Sequence, residues 1–205
     1  MTAPATAGPT PTDPRAREIA DALAAVHSRI VDAARDAGRE AEPALVVVTK
    51  THPAEDVVRL AALGVTDVGE NRDQEARPKA EAVAAALGAD APRWHFVGQL
   101  QTNKAKYVVR YASVVESVDR PELAEALSRA LLLRREREPE AAIPDLECLV
   151  QVDVDDRADE DRPETGDDPP RSELTDLRPH LVLHLRGDGL AVEDLRGHQY
   201  CSRPS

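Results

Sequence analysis

From Ala44 to Val152 the chain alternates short β-branched runs with longer amphipathic stretches, and most switches carry their own turn signal. Ala44 to Thr49 (ALVVVT) reads as a buried strand. Pro53, with Glu55 and Asp56 in the first turn, opens a helix that Gly64 ends. Val65 to Val68 is a second strand, and Asn71 to Leu87 an alanine-rich helix stopped by Gly88. Arg93 to Val97 is a third strand, followed by a helix from about Thr102 to Tyr111. Ser113 to Val118 and Leu146 to Val152 are the fourth and fifth strands, with a helix from Pro121 to about Glu136 between them. Strand and helix in alternation, with no hairpin signal, imply parallel pairing and right-handed crossovers. The strands are continuous apolar runs, as expected when both sheet faces are covered. A doubly wound open sheet and a (β/α)8 barrel both satisfy this pattern. The first crossover reads Lys50-Thr51-His52-Pro53, without the glycine-rich dinucleotide turn, which counts against a Rossmann fold.

The flanks differ in composition. Residues 1–12 are small, proline-rich and uncharged, and read as a disordered leader. Asp13-Pro14 then offers an N-cap and a first-turn proline to a helix whose Ile19, Leu23, Val26, Ile30 and Ala34 share one face. Beyond the fifth strand, most of the chain's net charge of −12 is concentrated between Asp153 and Asp176, a stretch expected to be a solvated loop or disordered. Leu181 to Leu185 (LVLHL) is a candidate sixth strand, and the last residues show no periodicity. Expected boundaries are therefore a leader over 1–12, an α/β barrel portion over 13–154, an acidic loop over 155–176 and a divergent tail over 177–205. Five or six strands are too few to close an eight-stranded barrel, so the expected barrel is incomplete after the fifth or sixth strand.

The acidic balance argues against nucleic-acid or anionic-membrane partners. Aromatic residues make up only 2% of the chain, so the core is built from Ala, Val and Leu. No apolar run approaches the roughly 20 residues of a membrane span, and no secretory signal opens the chain. Cys148 and Cys201 make neither a metal spacing nor a disulfide framework. A soluble, cytoplasmic protein is expected.

Candidate chemistry follows the strands. Lys50 closes the first strand and points into the mouth at the carboxyl ends of the sheet, where ligand sites sit in both architectures. Beside Val46 to Val48 its amine would be partly desolvated and suited to Schiff-base formation; a solvated strand-end lysine is the plain alternative. Gly69-Glu70-Asn71 allows a tight strand-to-helix turn, with Asn71 capping the helix or aiming its amide at a ligand. In Trp94-His95-Phe96, the two aromatic residues share one face and His95 the other, as a packing residue or as a proton-transfer group. His180 and His184 are four apart but lack a third ligand, and no metal site is expected.

Taken in order, Val47-Val48-Thr49-Lys50-Thr51-His52-Pro53, Gly69-Glu70-Asn71 with Gln74-Glu75, Trp94 to Lys104 (WHFVGQLQTNK) and Glu116-Ser117-Val118-Asp119 closely resemble the pyridoxal phosphate homeostasis protein family, single-domain relatives of the alanine racemase N-terminal barrel. The resemblance covers roughly Ala16 to Val154. It implies a (β/α)8 barrel binding pyridoxal 5′-phosphate (PLP) as a Schiff base on Lys50, with Asn71 beside the cofactor. It also implies a non-catalytic role in vitamin B6 homeostasis, with PLP-dependent apo-enzymes as candidate recipients. His95 and Asn103 match motif positions near the mouth without an implied contact. In the family, later strands supply a serine segment for the phosphate, an arginine and a glycine-threonine pair; no equivalent follows Val154, so weak cofactor retention is expected. Two other readings stand beside this one. The first is a PLP-dependent racemase-like enzyme, and the second a truncated remnant that no longer retains PLP.

Overall fold

The computed structural model describes residues 13–151, and the backbone alone of 181–186, 189–194 and 199–200. The leader, the acidic stretch, His180, Cys201 and the side chain of His184 lie outside the described residues. Five strands, β1 (Val47–Val48), β2 (Asp67–Glu70), β3 (Arg93–Phe96), β4 (Ala112–Val118) and β5 (Leu146–Val150), pair in sequence order, each parallel to the next. Helices α1 (Pro14–Asp36), α2 (Ala54–Ala62), α3 (Asp73–Leu87), α4 (Ala105–Val108) and α5 (Pro121–Arg137) precede or link them. The structure thus has an α/β fold on a five-stranded parallel sheet, the alternation expected from the sequence.

The sheet continues differently after β5. Strands β6 (Leu181–Arg186), β7 (Gly189–Asp194) and β8 (Gln199–Tyr200) add on antiparallel, and among the described residues no pairing joins β8 back to β1. The expected sixth strand is therefore present but reversed relative to a βα repeat. A parallel neighbour needs a crossover of a dozen or more residues, usually an amphipathic helix. The residues between β5 and β6 have the wrong sequence for one, being dominated by Asp and Glu.

Two clusters hold the helices against one face of the sheet. Phe96, Val115, Leu146 and Cys148 meet Leu100, Val108, Leu123, Leu127 and Leu131 from α4, α5 and the loop before α4. Val68 and Trp94 meet Val57 of α2 and Ala80 and Val83 of α3. Leu123, Leu127 and Leu131 recur every four residues and are buried, so α5 presents one leucine stripe to the sheet. The predicted helix Thr102–Tyr111 is shorter in the structure, a 3-10 turn over Thr102–Lys104 running into the single-turn α4.

Helix α1 begins at the predicted cap, with the Asp13 carboxylate accepting from Arg15 N–H at 2.9 Å. Its apolar stripe is less covered than the spacing implies: Ile19 and Leu23 are half-buried and Val26 is 41% exposed. The reason is β1, which spans two residues and pairs on one side only, leaving Val48 exposed. A cleft of about 310 Å³ separates this stripe from Leu45, Val47 and Val48. Charge supplies the attachment that packing does not. Arg15 donates to Asp56 at 2.8 Å, Arg59 to Asp13 at 2.7 Å and Arg59 to Asp56 at 3.0 Å.

The Arg15 guanidinium holds the buried Asp56 carboxyl below its ordinary value of 3.8. A carboxylate depressed in the folded state stabilises it fully above that value, and the contribution is lost as pH falls below it. Asp56→Asn is therefore expected to destabilise the protein at neutral pH by roughly 1–2 kcal/mol, as charge-assisted bonds of this kind do. It should also flatten the loss of stability below about pH 4, as read from urea midpoints across pH.

Candidate functional site

The carboxyl end of β1 is shaped by its neighbour β2. Thr49 N–H donates to Gly69 O at 2.9 Å, extending the pairing one residue past the strand. The Thr49 side chain turns toward the helices, and its hydroxyl donates to Glu70 Oε1 at 2.8 Å. Glu70 is fully buried at the last position of β2. Lys79, on the sheet-facing side of α3, donates from Nζ to Glu70 Oε1 at 2.5 Å and to Thr49 O at 2.8 Å. His52 N–H donates to the same Thr49 oxygen at 3.1 Å, closing a four-residue turn over residues 49–52.

Lys50 is the second residue of that turn and is exposed. The expected partial desolvation is absent, because the neighbouring Val48 is itself 46% exposed on the uncovered side of β1. Thr51, the third residue, has φ 67°, the left-handed region that a β-branched residue rarely adopts. Asn71 follows the neighbouring strand β2 as Lys50 follows β1, each in the turn after its strand. Asn71 is half-buried and does not cap α3, whose N-cap position belongs to Arg72. Its main chain is gripped from the next strand: a Cβ on Gly98 would lie 2.2 Å from Asn71 O, so no side chain fits at Gly98. Ser117 Oγ donates to Gly98 O at 2.5 Å and Arg120 to Leu100 O at 2.9 Å, so β4 and its following turn hold the same loop.

The face of the sheet opposite the helices is polar. His95 is buried between two carboxylates, with Nδ1 2.7 Å from Glu116 Oε1 and Nε2 2.9 Å from Asp67 Oδ1. Arg93 extends the row to Glu147 at 3.2 Å. Burial pushes the Asp67 carboxyl up, but hydrogen bonds from Thr66 and His95 outweigh it and leave the carboxyl below its ordinary value. With both ring nitrogens engaged inside the sheet, His95 is a structural bridge across β2, β3 and β4. Asn103 is exposed, and Lys104 lies 5.7 Å from the centre of the Tyr107 ring. Cys148 is buried among apolar neighbours, which pushes its thiol up to about 12 and makes it inert. Among the described residues, no cluster of three or more His, Cys, Asp or Glu could hold a metal, and no helix is long and apolar enough to cross a membrane.

Sequence reading singled out Lys50 and Asn71 but not the Thr49–Glu70–Lys79 network behind them. A signal was available. Lys79 falls on the stripe Ala76, Ala80, Val83 that α3 buries, and a charge on a buried stripe needs a partner.

No family model matches the chain. A pyridoxal phosphate homeostasis protein of Corynebacterium glutamicum is 40% identical over 148 residues, covering 71% of this chain and 61% of that protein. One of Pseudomonas aeruginosa is 37% identical over 167 residues, covering 80% of this chain and 67% of that protein. A solved structure of an unknown protein from Bifidobacterium adolescentis is 37% identical and covers 60% of this chain and 53% of its own, with a TM-score of 0.51. The chain spans about three-fifths of the length of the first of these relatives.

The clash at Gly98 yields a direct test. Gly98→Ala should destabilise the fold by about 2 kcal/mol or more, as overpacking against backbone does, and shift the urea midpoint down accordingly.

Proposed function

The chain belongs to the pyridoxal phosphate homeostasis protein family, and from that membership we propose that it is a non-catalytic PLP-binding protein that buffers or carries the cofactor. Lys50 is the residue that would hold it, with Asn71 alongside. The observation that carries this is the distribution of amines. The chain has four lysines. Lys79 is buried on Glu70 and Thr49, while Lys104 and Lys106 lie over the Tyr107 ring. Lys50 alone is an exposed lysine within two residues of a strand end, in the turn at the carboxyl end of β1 where α/β folds place their ligands. The donor set thus fits the aldehyde end of PLP: an accessible primary amine beside a half-buried amide, with Gly98 letting the loop after β3 come close.

PLP, when bound, supplies an electron sink, and the protein's share is binding, orientation and exclusion of water. Lys50 would condense through its amine with the aldehyde, releasing water. Asn71, its main chain pinned by Gly98, would orient the ring. A racemase would also need a phenol or other acid/base facing the bound ring. Tyr111 does not serve, because its hydroxyl is buried on the helix side, where desolvation, Asp73 and Glu70 push its ionisation well above the ordinary value. A barrel of the alanine racemase N-terminal type, incomplete after the fifth or sixth strand, and a cytoplasmic location belong to the same proposal, with apo-enzymes that need PLP as the recipients.

The test is borohydride reduction of the protein after incubation with PLP, followed by peptide mapping. Label is expected on Lys50 and to vanish from that peptide in Lys50→Arg. Label confined to Lys104 or Lys106 would sink the assignment.

A further inference from the structure

The strained turn at the end of β1 and the buried ion pair beneath it meet at a single residue. Every polar group of Thr49 is engaged: its N–H on Gly69 O, its carbonyl by His52 N–H and Lys79 Nζ, its hydroxyl on Glu70 Oε1. Thr49 is 2% exposed, Glu70 fully buried and Lys79 9% exposed, so none of these bonds competes freely with water. On the far side of Lys50, Thr51 is held at φ 67° with a β-branched side chain, a conformation that persists only where the surroundings over-determine it. Lys50 is therefore an exposed side chain whose backbone is fixed from the Thr49 side and turns sharply at Thr51.

We infer that Thr49, Glu70 and Lys79 are positioning residues that clamp the β1 end so that the Lys50 amine is presented to an aldehyde ligand in one orientation. This rests on the reading of Lys50 as the cofactor lysine. A buried Glu–Lys pair needs additional hydrogen bonds to offset its desolvation, and the residue that supplies them is the one preceding Lys50. Here both partners of the pair spend a hydrogen bond on Thr49. The clamp orders the backbone that an otherwise freely rotating lysine hangs from, which lowers the orientational cost of capture.

The experiment uses the full chain with PLP as probe. Parent, Thr49→Val, Thr49→Ser and Thr51→Gly are incubated with PLP and quenched with borohydride at a series of times. Label on Lys50 is then scored against label on Lys104 and Lys106 in the same sample. Thr49→Val removes only the hydroxyl bond to Glu70. Its Lys50 labelling is expected to fall about tenfold relative to the two internal controls, and Thr49→Ser to restore it. Thr51→Gly relieves the positive φ without touching the buried pair, and should leave Lys50 labelling no lower than in the parent. A loss of fold would instead change all the lysines together. Equal Lys50 labelling in parent and Thr49→Val would overturn the clamp while leaving Lys50 as the cofactor lysine. Absence of Lys50 labelling in the parent would remove that premise, and the clamp with it.

Discussion

A buried carboxylate and ammonium, Glu70 and Lys79, sit 2.5 Å apart behind the sheet and share Thr49 between them. Such a pair is a poor source of net stability, because stripping water from two charges offsets most of their attraction. Removing one partner is another matter, since it leaves a charge buried alone and typically costs about 3–5 kcal/mol. The pair therefore makes the end of β1 intolerant of rearrangement. Around it, β2 must end on Glu70, α3 must bring Lys79 to the sheet one helical stripe deep, and the backbone must turn sharply at Lys50. Gly98 imposes the matching constraint on the other side, where β3 leaves the sheet against the main chain of Asn71. The backbone leading to Lys50 and the main chain of Asn71 are thus constrained by residues outside both turns.

Much of this architecture was legible in the amino-acid sequence. The apolar runs ending at Thr49, Val97 and Val118, and the leucine stripe of α5, carry patterns strong enough to place five strands and their helices. Asp13-Pro14 marks the start of α1 because capping is local chemistry. The family resemblance reached further still, since it rested on the order of four segments rather than on any one residue. Lys50 and Asn71 stood out for that reason alone, as neither residue is unusual at a strand end.

Other features depend on partners distant in sequence. The spacing of Ile19, Leu23 and Val26 shows an apolar stripe but not that β1 would be too short to cover it. His95 alternates to the face opposite Trp94 and Phe96 as expected. Nothing adjacent to it shows that Asp67 and Glu116, each more than twenty positions away, would occupy both ring nitrogens. The reversal of the sheet after β5 is a matter of strand direction, which the apolar run Leu181 to Leu185 does not encode. Thr51 at positive φ is illegible from residue type, because threonine is among the residues least suited to that conformation.

The proposed anchor of PLP is the amine at the end of β1. Equilibrium retention of PLP through ultrafiltration, without reductant, tests that most directly in the parent and in Lys50→Ala. Retention by the parent and its loss in the variant is the predicted result. Equal retention by both proteins would contradict an anchoring role for Lys50.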